Sequence, residues 1–280
     1  MKSSLALISF LSLHLLALHA TGQIAPEYLF HPETALLPPA GKTGDLQGSS
    51  EKSSVSPSLM VAAHEVSFID PQILIDKEVF QARFVSALWK GSASELPHQR
   101  NVLIVGSDYA VIVDYLYRGG DKEVTVDRLI HFTFGSASSQ PSIDSEGTGC
   151  LSSTSDDGTS FRVQSLTPAT VTLTPDSPRK GVSFSTQSKL PVPVTTIMLA
   201  WKGGKAPKVD YVKAVNPMVV KLKVTFADGR TDEVAMAWEA RPLHIGKSEF
   251  NGWAAVLRHD PQGTGTGSGA TVGGCSIEIK

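Results

Sequence analysis

Arg100-Asn101-Val102-Leu103-Ile104-Val105-Gly106-Ser107-Asp108-Tyr109-Ala110-Val111-Ile112-Val113-Asp114-Tyr115-Leu116-Tyr117-Arg118-Gly119-Gly120-Asp121-Lys122-Glu123-Val124-Thr125-Val126-Asp127-Arg128-Leu129-Ile130-His131-Phe132-Thr133-Phe134 is the stretch around which the chain is organised. Three β-rich runs are separated by Gly106-Ser107-Asp108 and Gly119-Gly120-Asp121. β-branched and aromatic runs divided by Gly, Asp and Ser read as an antiparallel meander. In the third run Val124, Val126, Arg128, Ile130, Phe132 and Phe134 share one face. Thr125, Asp127, Leu129, His131 and Thr133 share the other, because side chains alternate along a strand.

Asp114 does not fit the apolar run that contains it. A buried carboxylate is costly unless it is hydrogen-bonded, paired or bound to a metal. One reading is an acid near a strand end whose oxygens accept backbone N–H groups. The other is a ligand or site residue.

Further strands follow the stretch at short, regular spacing. Runs at Phe161–Leu166, Thr170–Thr174, Val182–Thr186 and Thr195–Trp201 are broken by Asp157-Gly158, Pro175-Asp176 and Gly203-Gly204. Val219–Phe226 and Thr231–Trp238 flank Ala227-Asp228-Gly229, the clearest hairpin in the sequence, since Asp-Gly supplies the positive φ of a tight turn. Glu249–Arg258 reads as a last strand. No segment shows a sustained helical period. The expected fold is all-β: a large two-sheet antiparallel β-sandwich of about 10–14 strands. The sequence has no Gly-x-Ser-x-Gly, phosphate loop, Cys-x-x-Cys or His-Glu-x-x-His.

Residues 1–22 read as a secretory signal peptide, with Lys2, an apolar Leu5–Leu18 core too short to span a bilayer, and the small-residue pattern Ala20-Thr21-Gly22. The expectation is a secreted or periplasmic protein with no transmembrane segment. Residues 23–57 read as a poorly ordered leader or linker, 58–260 as the sandwich, and 261–280 as a Gly-rich flexible tail. The net charge of −2 offers no basic stripe, which argues against nucleic acid as a partner. Cys150 and Cys275 allow one disulfide, which would tie the tail to the body.

Several pieces, in order, carry a family resemblance. They are Ala62-Ala63-His64, Phe80-Gln81-Ala82-Arg83-Phe84-Val85, Arg100–Val105, the Val-Ile-Val-Asp114 strand, Leu129-Ile130-His131-Phe132, the Asp228-Gly229 hairpin and Gly252-Trp253-Ala254-Ala255-Val256. Residues 58–260 thereby resemble the C-terminal β-sandwich of heparinase II/III-like polysaccharide lyases. Members of that family carry an α/α-toroid catalytic domain before the sandwich, for which the stretch before residue 58 has no room. The resemblance implies a divalent metal held by His64, Asp114 and His131. Two imidazoles and a carboxylate suit zinc with an open fourth position. In a simple meander Asp114 would face about residue 126, leaving His131 about 17 Å along the strand. Direct approach would need a bulge or a bent sheet.

Other residues suit a saccharide partner. Trp89 and Trp253 are candidate exposed platforms for sugar C–H faces, whereas Trp201 and Trp238 alternate as core residues. Arg83, Arg100 and Arg118 could meet uronate carboxylates as bidentate donors, or could be solvated charges. His98, His244 and His259 read as surface residues. The expected function is an exported stand-alone sandwich related to polysaccharide lyases, binding an acidic polysaccharide or a partner protein. Alternatives are a reduced lyase cleaving uronate-containing glycan by β-elimination, alone or with a separate toroid partner, and a structural envelope protein.

Overall fold

The structure, a computed structural model, describes residues 54–61, 64–65, 72–79, 82–89, 97–106, 108–117, 123–133, 142–143, 150–154, 159–174, 180–261 and 268–272. Among them the elements are strands alone. They are β1 (Ser54–Val61), β2 (His64–Glu65), β3 (Gln72–Val79), β4 (Ala82–Trp89), β5 (His98–Val105) and β6 (Tyr109–Leu116). Next come β7 (Val124–Thr133), β8 (Ser142–Ile143), β9 (Cys150–Thr154), β10 (Thr159–Ser165), β11 (Thr170–Thr174) and β12 (Lys180–Ser188). The last six are β13 (Val192–Lys202), β14 (Lys208–Val212), β15 (Val219–Thr225), β16 (Thr231–Ile245), β17 (Ser248–His259) and β18 (Ser268–Val272).

The strands form an eight-stranded sheet, β3-β4-β5-β6-β13-β10-β9-β8, and two five-stranded sheets, β11-β12-β7-β1-β2 and β14-β15-β16-β17-β18. All pairings are antiparallel. The expected all-β antiparallel sandwich is present, with a third sheet and more strands than the sequence suggested.

Side-chain alternation explains the layering. On one face of the eight-stranded sheet, Val85, Val102, Ile104, Ile112 and Met198 pack against Val126 of β7 and Val182 and Phe184 of β12. On its other face, Phe84, Leu103, Val111, Val113, Ile197 and Leu199 pack against Val220, Leu222, Val234, Met236 and Val256 of the β15–β17 layer. Both faces of β5 and β6 are therefore buried, which is why Val102–Val105 and most of Tyr109–Leu116 read as apolar runs without alternation. The larger sheet is the shared middle layer of two cores.

The third core lies on the outer face of the β14–β18 sheet, where Leu243, Ile245 and Phe250 join Val219, Ala235, Ala237, Ala255 and Leu257. A register shift between Met236 and Arg241 bends the β16–β17 hairpin. Its tip returns over its own sheet: a Cβ at Gly246, whose φ is +56°, would stand 3.7 Å from the Glu233 carboxylate.

Some expectations need correction. The Arg100–Phe134 runs do not form one meander. The β5–β6 hairpin does form, but β7 leaves for the opposing sheet and pairs with β1 and β12. The first strand begins at Ser54, inside the expected leader. Within the expected flexible tail, β18 pairs with β17. The expected Asp-Gly hairpin is present as β15–β16.

Candidate functional site

Asp114 has its partners in arginines. In the β5–β6 register it faces Arg100 directly. Arg100 donates Nε to Oδ1 at 2.7 Å and Nη2 to Oδ2 at 3.1 Å. Arg128, on β7 of the opposed sheet, donates Nη2 to Asp114 Oδ2. Its Nη2 also reaches the Val194 carbonyl at 2.9 Å, and its Nη1 reaches Thr196 Oγ1 and the Ile112 carbonyl. All three charged side chains are at most 1% exposed. Burial pushes the Asp114 carboxyl up, but the charges of Arg100 and Arg128 outweigh it and hold it below its ordinary value. Burial pulls Arg128 down to about 10, which leaves it charged at neutral pH. The triad is a cationic clamp between two sheets.

This geometry reassigns Asp114 and Arg100. The acid's partners are side chains in two different sheets, not backbone N–H groups. Arg100 is sealed in the core and is not placed to meet a saccharide. A cation bound at Asp114 would stand against two guanidinium groups, so this carboxylate does not fit as a zinc ligand. His64 pairs with Val61, and His131 lies between Ser56 and Gly181 in the sheet opposite Asp114. The side chains of both histidines lie outside the described residues. Among the described residues no three His, Cys, Asp or Glu side chains assemble for a metal. Cys150 opens β9, but Cys275 lies outside the described residues, and with it the disulfide expectation.

The aromatic expectations divide. Trp89 is buried, not exposed, and stacks on His98 with coplanar rings and centroids 4.8 Å apart. His98 is likewise buried rather than at the surface. The β4 alternation carried the signal: Val85, Ala87 and Trp89 form an all-apolar face. Trp253 is half-buried against Phe84. Arg83 is partly exposed and makes a bidentate pair with Asp76, at 3.0 and 2.8 Å. Trp201 and Trp238 border the core without being fully enclosed. Arg118 lies outside the described residues, and His244 is exposed as expected.

Two polar clusters join the eight-stranded sheet to the β14–β18 sheet. At one end, buried Asp232 accepts from Tyr109 Oη at 3.0 Å and from Arg258 Nε and Nη2, both at 2.8 Å. Arg258 also reaches Asp108 at 3.0 Å. At the other end lies the β16 bulge. Asn101 Nδ2 donates to the Ala237 carbonyl at 2.8 Å, and Gln99 Nε2 donates to the Trp238 carbonyl at 2.7 Å. The register shift leaves residues 237–240 without partners in β17, and buried amides donate to two carbonyls of this segment. Tyr117 Oη donates to Gln99 Oε1.

The bulge end also meets solvent. Tyr117 and Trp238 are half-buried, with ring centroids 6.0 Å apart. The Arg241 guanidinium lies over the Trp238 ring at 5.9 Å. Glu239 and Ala240 are exposed, and Tyr211 is 49% exposed. An indole face, a phenol and a partly exposed guanidinium thus gather where a bulge interrupts the sheet. The first two can stack on sugar rings and the last can hold a carboxylate or sulfate. Sequence alternation alone hid this cluster, because Trp238 and Arg241 are brought together by the bulge.

No protein-family model matches the chain, and no curated protein matches it in sequence. Solved structures do match in fold. The heparan sulfate lyase HepC from Pedobacter heparinus is similar at 16% identity and a TM-score of 0.53, over 68% of this chain and 31% of that one. A heparinase III gene product is similar at 15% identity and a TM-score of 0.50, over 72% and 34%. A further heparinase III structure is similar at 15% identity and a TM-score of 0.50, over 64% and 29%. The chain therefore spans about a third of the length of these lyases, and what it shares with them is the fold of a β-sandwich region.

Proposed function

We propose that this chain is an exported β-sandwich module, allied in fold to polysaccharide lyases, that binds an acidic polysaccharide. The observation that carries the reading is the solvent-reached cluster of Tyr117, Trp238 and Arg241 beside the β16 bulge. Acidic saccharides present two chemistries at once, apolar C–H faces and fixed oxyanions. Aromatic rings answer the first and a guanidinium the second. Both polar anchors of the bulge, Gln99 and Asn101, are buried, so the cluster stands on a rigid base. The names of the lyases of like fold, heparan sulfate lyase and heparinase, support this choice of ligand class.

Titration calorimetry tests the reading. The protein should bind heparan sulfate oligosaccharides and bind neutral oligosaccharides of equal length far more weakly. Trp238→Ala should weaken binding by about tenfold or more, in line with a stacked aromatic anchor. Equal affinity for neutral and acidic chains, or none for either, would overturn the proposal. The same mixtures followed for the ultraviolet absorbance of an unsaturated uronate report whether binding is accompanied by elimination.

A further inference from the structure

Two hydrogen-bond donors at the bulge end lack an acceptor among the described residues. Tyr115 is wholly buried, and its Oη has no partner among the described residues. Nη1 of Arg241 is also enclosed without one. Buried polar atoms without a partner are rare in folded proteins, and each calls for an explanation such as an absent ion or ligand. The two belong to one cluster. Tyr115 faces Gln99 across the β5–β6 ladder and precedes Tyr117 by two residues on the same strand face. Gln99 grips the Trp238 carbonyl, and Arg241 covers the Trp238 ring. Burial raises the Tyr115 phenol well above its ordinary value, with Tyr117 and Tyr211 acting in the same direction and the Arg241 charge opposing it. The hydroxyl is therefore neutral and keeps its proton to donate.

We propose that Tyr115 Oη and the Arg241 guanidinium form a two-donor subsite for one oxyanion of an acidic saccharide. The inference rests on the glycan-binding reading above and specifies where the charge is read. Arg241 is the member that solvent reaches, so the oxyanion meets it first. Turning Arg241 off the Trp238 face uncovers the indole for the sugar ring and carries the anion toward the Tyr115 hydroxyl. The subsite then exchanges a cation–π contact for a charge-assisted hydrogen bond. Two unsatisfied donors gain an acceptor in the same step. A neutral sugar supplies no such acceptor charge and gains only the stacking.

Three probes separate the possibilities: an unsulfated glucuronate-containing tetrasaccharide, its N- and O-sulfated counterpart, and its carboxyl-reduced neutral counterpart. Tyr115→Phe deletes one oxygen without changing shape. It should lower affinity for the acidic probes by about tenfold, leave weak neutral binding unchanged, and leave thermal stability equal or higher because an unpaired buried hydroxyl is gone. Arg241→Gln should lose more, and Arg241→Lys should recover part of it. A loss confined to the unsulfated probe assigns the subsite to carboxylate, and a loss confined to sulfated chains assigns it to sulfate. If Tyr115→Phe binds the acidic probes as tightly as the unmodified protein does, the subsite is overturned while the glycan reading stands. If the unmodified protein binds none of the probes, both fall together.

Discussion

Asp114 and Arg128 lie in different sheets, and their side chains meet between the layers. The contact places a carboxylate and a guanidinium, with Arg100 as a second guanidinium, where the flanking positions are Ile112, Val126 and Val194. An arrangement of this kind is weak evidence for stability, since desolvation offsets much of the Coulomb attraction. Its geometric demand is nonetheless strict. The β5–β6 hairpin must have the right register, and β7 must lie across it at one height.

Removing the shared acid should therefore cost more than removing a single hydrogen bond. Asp114→Leu leaves Arg100 and Arg128 as like charges in the core, and is expected to destabilise by about 3–5 kcal/mol. Replacing all three with apolar residues of similar volume should cost far less, and on the same grounds can be neutral. Denaturant unfolding of the single and triple variants checks this. If the triple variant is as unstable as the single one, the loss reflects packing rather than uncompensated charge.

Acid should act on the same group. Burial raises the Asp114 carboxyl, but the two guanidinium charges and the hydrogen bonds from Arg100 bring it below its ordinary value. The folded-state pKa is thus lower than the unfolded one, so the unfolded chain takes up the proton first as pH falls. The stability from this group is complete above about pH 4, the ordinary carboxylate value, and is lost as pH drops through the folded value. Melting temperatures of the unmodified protein and Asp114→Asn should therefore be well separated at neutral pH and converge on acidification. A separation that stays constant down to the acid limit would show that this carboxylate does not govern the acid response.

Part of the triad was legible in the sequence. The turn Gly106-Ser107-Asp108 centres the β5–β6 hairpin on Ser107, and reflection through that centre brings Arg100 opposite Asp114. Alternation along β7 likewise put Val126 and Arg128 on one face, and both are buried. The destination of β7 was not legible. Alternation shows which residues share a face and carries nothing about which sheet receives it, so a crossover and a hairpin read alike. The β16 bulge was hidden for a related reason: residues 231–245 alternate well on either side of it, and only pairing with β17 reveals the shift. With the bulge went the association of Trp238, Arg241 and Tyr117. The hairpin at Asp228-Gly229 was legible because Gly229 adopts a φ of +89°, which L side chains rarely tolerate.

The bulge depends on Asn101, which is wholly buried, donates to the Ala237 carbonyl and accepts from Gln99. Asn101→Leu keeps similar bulk but strands that carbonyl and one Gln99 donor contact. The expected loss is about 1–3 kcal/mol for each buried group left unsatisfied. Hydrogen exchange should also quicken around residues 236–241, since the anchor of the displaced segment is gone. Thermal melting and exchange mapping check the two effects. Unchanged exchange at the bulge alongside a loss of stability would mean that Asn101 matters for the core and not for holding the bulge.

At the opposite end of the same interface, Asp232 organises Tyr109 and Arg258. Tyr109→Phe removes one hydroxyl and leaves the carboxylate with both Arg258 hydrogen bonds. A hydrogen bond to a charged group contributes about 1.5–3 kcal/mol, and the remaining bidentate pair should keep this loss toward the lower figure. Asp232→Ala removes the acceptor from both partners. It strands the Tyr109 hydroxyl in the core and takes from Arg258, whose side chain is 21% exposed, its bidentate carboxylate. The order of destabilisation should therefore be Asp232→Ala greater than Tyr109→Phe. In the double variant the losses should be less than additive, because the Tyr109 hydroxyl has already lost its acceptor in Asp232→Ala. Equilibrium unfolding of the two single variants and the double variant measures this coupling directly. Strict additivity would show that the Tyr109–Asp232 hydrogen bond contributes nothing to holding the two sheets together, whatever its length.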